Sequence, residues 1–138
     1  MPGKHLIPAE FRSLIESRDL FSDLPASAIN ELMKGGRLRS IKGSEHLIDE
    51  NQPNEFLFLV IKGTAIAMIN KTEVGRIETG EFAGEISSAG ISPPVASVVA
   101  ENACDVAAFP VSLIHDLAEQ HPAFAKRLRE AGFHRISD

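Results

Sequence analysis

The sequence predicts a mainly β domain, a small jelly-roll barrel with helices packed at its two ends. Seven short β-prone runs lie between Leu38 and Phe109, at spacings of roughly ten residues. Apolar residues at helical spacing flank that region on both sides. Nothing in between alternates strand with long helix, so a parallel βαβ sheet is not expected.

Residues 1–37 read as helical. Phe11, Leu14 and Ile15 stand at i, i+3 and i+4, the stripe of a short helix starting near Pro8. Leu20 and Phe21 precede Pro25, which suits the first turn of a second helix. Ile29, Leu32 and Met33 give that helix a buried face, and Gly35-Gly36 stops it.

Residues 38–110 read as the barrel. The runs are Leu38–Ile41, His46–Ile48, Phe56–Ile61, Thr64–Ile69, Val74–Ile77, Val95–Ala100 and Cys104–Phe109. Gly43, Asn51 to Asn54, Gly63, Asn70-Lys71, Gly75, Gly80, Gly84 and Asn102 punctuate them. The small, polar stretch from Glu85 to Gly90 is expected to make one or two helical turns.

Residues 111–138 return to helix. Leu113, Ile114, Leu117 and Ala118 share one face, and Pro122 opens a further helix whose stripe is Phe124, Leu128 and Ala131. Neither helical end could bury its stripe alone, so residues 1–138 are read as one domain.

Composition narrows the function. Of 138 residues, 43% are hydrophobic and 24% charged, the balance of a folded globular domain. The longest apolar run, Phe56 to Ile61, is far short of the ~20 residues of a membrane helix. Met1 to Phe11 carries no signal-peptide core. With Cys104 the single cysteine, no internal disulfide forms. A cytoplasmic protein without membrane contact is expected. The formal charge is −5, and no Lys or Arg occurs between Arg76 and Lys126. An acidic surface argues against nucleic acid as a partner.

Few residues have the spacing of an active site. His46 is the only histidine in the strand region; His115 and His121 straddle a proposed helix break, and His5 and His134 lie near the ends. A barrel enzyme of the cupin type would need two close histidines and a carboxylate, so no metal and no catalytic residue is assigned. Cys104, in an apolar run, is expected to be buried and inert. Ser87-Ser88 lacks the nucleophile elbow. Lys126, Arg127, Arg129 and Arg135 make the last helix basic, which suits a solvated face near a helix C-terminus.

The most informative stretch is Phe82-Ala83-Gly84-Glu85-Ile86-Ser87-Ser88, followed by Pro93-Pro94-Val95-Ala96-Ser97-Val98-Val99-Ala100. Gly84 permits a tight turn, and the first amides of a helix begun at Glu85 have no internal partner. Such amides attract a phosphate, and a carboxylate beside them can accept from a sugar hydroxyl. This stretch resembles the phosphate-binding cassette of cyclic nucleotide-binding domains. The resemblance runs from about Leu20 to Leu128, through Leu24-Pro25, Lys42-Gly43, Phe58-Leu59-Val60, Gly63 and Gly80-Glu81-Phe82.

The resemblance implies a non-enzymatic regulatory module with cyclic AMP or cyclic GMP as its ligand and no cofactor. It assigns Gly84, Ile86 and Ser87 to the backbone cradle and Glu85 to the ribose. Ala96 and Ser97 fall on the facing strand, with the Ser97 hydroxyl toward phosphate or base. In the family the helix after the barrel closes over the base or forms a dimer, which makes Phe124, Leu128 and Ala131 the expected homodimer contacts. Activator-type members carry a helix-turn-helix after that helix; this sequence ends at Asp138.

Two positions depart from the family pattern. Where the family has the arginine that pairs with the cyclic phosphate, this chain has Pro94, with neither charge nor N–H. Losing one partner of a buried charge pair costs about 2–5 kcal/mol, roughly 30- to 5000-fold in affinity. The expectation is a degenerate pocket, unless Arg76, Lys62, the C-terminal helix or a second subunit supplies the charge; a ligand-free interaction or dimerisation scaffold is the first alternative, and a cupin-type metal enzyme the second. The second departure is Asn51, which replaces the usual Gly before the third of the expected strands. Asn tolerates a left-handed turn best among non-glycine residues.

Overall fold

The computed structural model describes residues 4–85, 94 and 96–137. Among the described residues, nine strands form two antiparallel sheets. They are β1 (Lys4–Leu6), β2 (Arg37–Ile41), β3 (His46–Ile48), β4 (Phe56–Lys62), β5 (Ala65–Ile69), β6 (Thr72–Ile77), β7 (Phe82–Ala83), β8 (Ser97–Ala100) and β9 (Cys104–Pro110). One sheet has the order β1-β2-β9-β4-β7, the other β3-β8-β5-β6. The helices are α1 (Arg12–Glu16), α2 (Ala26–Gly35), α3 (Val111–Gln120) and α4 (Pro122–Ser137), with single 3-10 turns at Ala9–Phe11 and Asp19–Phe21.

The expected jelly-roll barrel with helices at both ends is the observed architecture. Two core layers account for the sequence pattern. Between the sheets lie Ile41, Ile48, Phe58, Val60, Ala65, Ile77, Val98, Ala100 and Val106. On the other face of the five-stranded sheet, Leu57, Leu59, Ile61, Ala107 and Phe109 pack against Phe21, Leu32, Ile114, Phe124 and Leu128 from the helical segments. Strand β4 is thus covered on both faces, which is why Phe56–Ile61 reads as an unbroken apolar run.

Local signals set the ends of elements. Before α2, Pro25 is extended, and its carbonyl accepts from Ala28 and Ile29 at 3.0 and 3.1 Å. The same helix ends where the Gly36 amide donates to Leu32 at 2.9 Å. Asn70 and Lys71, both at positive φ, close the two-residue hairpin between β5 and β6.

The structure corrects some expectations. The stripe after Pro8 divides into a 3-10 turn and the five-residue α1, which closes where the Arg18 amide donates to the Ile15 carbonyl at 3.2 Å. Strands β1 and β7 were not expected; three and two residues long, they are too short to carry a periodicity. Of the Glu85–Gly90 turn, Glu85 is helical and the remainder lies outside the described residues, as does Val95. Among the described residues, no helix is long and apolar enough to cross a membrane.

Candidate functional site

The site is built at the end of β7. Ala83 pairs with Phe58 and Phe82 with Leu59, which fixes the next residue over the start of β4. That residue, Gly84, has φ +99°. A Cβ there would lie 2.6 Å from the Phe56 carbonyl oxygen and 2.9 Å from Asn54 Nδ2, so only glycine fits this approach. Asn54 holds the surface it rests on: its side-chain amide donates to the Phe56 carbonyl at 2.7 Å. Glu85 follows directly, helical and 8% exposed. Ile86 and Ser87 lie outside the described residues.

Across from this turn, Pro94 is buried, and its carbonyl accepts from the Asn51 amide at 2.9 Å. Asn51 takes up φ 62° to make that bond. Ala96 is half-buried just before β8. Ser97 alternates with Val98 and Ala100, which face the space between the sheets, so its side chain lies on the opposite face. There its hydroxyl accepts from the Glu50 amide at 3.0 Å. In this position the Ser97 hydroxyl braces the Asp49–Asn51 turn.

Positive charge near the barrel is distributed unlike the expectation. Arg76 pairs with Ile66, on the face of β6 turned away from the interior, and donates twice to the Glu101 carboxylate at 2.6 and 3.0 Å. These hydrogen bonds, with the attraction between the charges, raise the Arg76 pKa and hold the Glu101 carboxyl below its usual range. Lys62 is exposed at the end of β4.

An arginine that sequence reasoning missed does face inward. Arg39 on β2 stands opposite Val106, an interior residue, with its guanidinium carbon 5.8 Å from the centre of the Phe58 ring. The signal was present in the alternation of Arg39 with Ile41, but a charged residue beside a glycine turn reads as solvated.

On the helical side, a half-open cleft of about 250 Å³ is lined by Ser17, Arg18, Asp19, Leu20, Gly80 and Phe82. Its Arg18 guanidinium is committed to the Leu14 and Gly80 carbonyls and the Ser17 hydroxyl, which fastens the N-terminal segment to the barrel.

The last helix is also spoken for. Phe124 and Leu128 are 0% and 2% exposed, and Ala131 packs on the same cluster. Of the three expected homodimer contacts, Phe124 and Leu128 are held in this chain's own core and Ala131 is half-buried at its edge. Cys104 is buried, and burial, then the charges of Asp105 and Glu45, push its thiol pKa up. Among the described residues, no three His, Cys, Asp or Glu side chains gather as a metal site.

The barrel, the glycine turn and the buried carboxylate now meet their counterpart. The model of the cyclic nucleotide-binding domain family matches residues 38–121, more than half of the chain. The chain belongs to that family. No curated protein sequence matches it significantly. Solved structures similar to it share the fold at low identity. The sensor domain of the transcriptional regulator DNR from Pseudomonas aeruginosa is 16% identical, with a TM-score of 0.77 over 91% of this chain and 92% of that one. The C-linker/CNBHD of zELK channels, crystallized in the presence of cAMP, is 17% identical, with a TM-score of 0.74 over 93% and 70%. The regulatory domain of Toxoplasma gondii PKA, crystallized with cAMP, is 17% identical, with a TM-score of 0.68 over 81% of this chain. This chain spans 48% of that regulatory domain's length.

Proposed function

We propose that this chain is a non-enzymatic, cytoplasmic regulatory module whose cassette binds cyclic AMP or cyclic GMP weakly. One observation carries the reading: the left-handed Gly84 delivers a buried Glu85 at the end of β7, while Pro94, which the resemblance sets against the phosphate-pairing arginine, is buried. Gly84, Ile86 and Ser87 supply amides to the phosphate, Glu85 accepts from the ribose, and Ala96 borders the ligand from the facing strand.

The response is a population shift. Phe82, two residues before Gly84, meets Phe21 edge-on at 5.2 Å, and Phe21 lies 5.9 Å from Phe124 of α4. Movement of the cassette on ligand binding is therefore felt by the last helix through three packed rings. That contact supports reading residues 1–37, 38–110 and 111–138 as one module.

Calorimetric titration with cyclic AMP and cyclic GMP tests the proposal. The expected affinity is weaker than micromolar, tightened by Pro94→Arg and lost in Glu85→Ala. Low-micromolar binding by the unaltered chain would overturn the degenerate reading, and indifference to Glu85→Ala would remove the cassette from it.

A further inference from the structure

Strand register places one cation inside the barrel. Arg37, Arg39 and Ile41 of β2 stand opposite Ala108, Val106 and Cys104 of β9, all three of which belong to the core between the sheets. Arg39 therefore projects between the sheets rather than toward the helices. Strand β9 separates β2 from β4. The Arg39 side chain nevertheless reaches the Phe58 ring on β4, passing over the row that holds only alanine at position 108. Phe58, 1% exposed, pairs directly with Ala83, the residue before Gly84. The guanidinium thus ends one strand from the cassette.

Its bonding is equally telling. Arg39 is half-buried, and among the described residues no carboxylate or carbonyl accepts from its five N–H donors. Arg12, Arg18, Arg37, Arg76 and Arg127 all donate to such acceptors. An aromatic face attracts a guanidinium but leaves its in-plane donors directed outward. A ring-backed guanidinium with free donors is suited to a bidentate oxyanion.

We propose that Arg39 is the anion-binding residue of this site, pairing with a phosphate monoanion from β2 in place of the arginine that Pro94 displaces. The proposal rests on the cassette reading above and names the charge that reading lacks. The anion is gripped from the β2 side of the barrel, with the Gly84 turn on its other flank.

The test titrates the full chain, Arg39→Gln, Arg39→Lys and Arg76→Gln with cyclic AMP, and separately with inorganic phosphate. Calorimetry reads affinity, and NMR follows the Arg39 Nε–H resonance. The expected result is cyclic AMP binding weakened about 10- to 100-fold in Arg39→Gln, partly kept in Arg39→Lys, and unchanged in Arg76→Gln. Thermal melts identify a variant that fails to fold, in which case Arg39→Lys and the resonance carry the comparison. Cyclic AMP binding indifferent to Arg39 overturns this inference and leaves the weak-binding reading standing. Phosphate shifting the Arg39 resonance while cyclic AMP does not bind supports the anion site and removes the nucleotide. If neither probe moves the resonance, the inference is overturned.

Discussion

The Asn51 amide donates to the Pro94 carbonyl at 2.9 Å, and this bond joins the two positions that the sequence resemblance marks as departures. The two departures are one local structure. Pro94 contributes a carbonyl and a rigid ring, and Asn51 accepts a left-handed backbone, φ 62°, to meet it. The Ser97 hydroxyl secures the same turn from the other side through the Glu50 amide.

That coupling predicts the response to substitution at Asn51. Asn51→Gly preserves the turn and leaves stability near that of the parent chain. Asn51→Val is expected to cost about 1–2 kcal/mol, the penalty of a branched side chain in the left-handed region. Urea unfolding measures both, and equal midpoints would refute the account.

At Gly84, a methyl group meets backbone rather than a flexible side chain. Gly84→Ala is expected to destabilise by about 1–3 kcal/mol, since φ +99° and a 2.6 Å approach to the Phe56 carbonyl both oppose it. The same change should displace Glu85. A variant with unaltered chemical denaturation would mean that the turn relaxes freely.

The Arg76–Glu101 pair carries a pH signature. Its hydrogen bonds depress the Glu101 pKa in the folded state. Its stabilisation is therefore complete above the ordinary glutamate range and is lost as pH falls through the depressed folded value. Comparing the parent with Arg76→Gln by urea unfolding should give a difference that is constant near neutrality and shrinks in acid. A difference that grows as pH falls would reverse the sign. Both side chains are substantially exposed, so the effect is modest and weakens with salt.

Leu128 tests the dimer expectation. Buried at 2% exposure among Phe21, Phe124 and their neighbours, it should cost about 2–5 kcal/mol on substitution by alanine. Sedimentation of the folded Leu128→Ala protein should match the parent. A change in oligomeric state without loss of stability would restore the interface role.

Much of the fold was legible residue by residue. The run Phe56–Ile61 showed a strand covered on both faces, Gly35-Gly36 marked a helix end, and Asn70-Lys71 marked a hairpin. Each of these signals is local, written in one stretch of chain by sterics or burial. β1 and β7 were not legible, because strands of three and two residues exist only by pairing with β2 and β4. The candidate site divides in the same way: the Gly84 turn and the lack of any Lys or Arg between Arg76 and Lys126 could be read directly, whereas the faces of Ser97 and Arg39 could not.

By itself the sequence determined the barrel, the family and the chemical oddity of Pro94, because strand periodicity, glycine turns and a missing charge are properties of neighbouring residues. Only the tertiary structure decided where the charges act. Arg76 turns outward to Glu101, Arg39 turns inward over Phe58, and Phe124 and Leu128 vanish into the core. The reason is physical: a side chain's face depends on strand register and on what packs above it, and both are set by segments dozens of residues away.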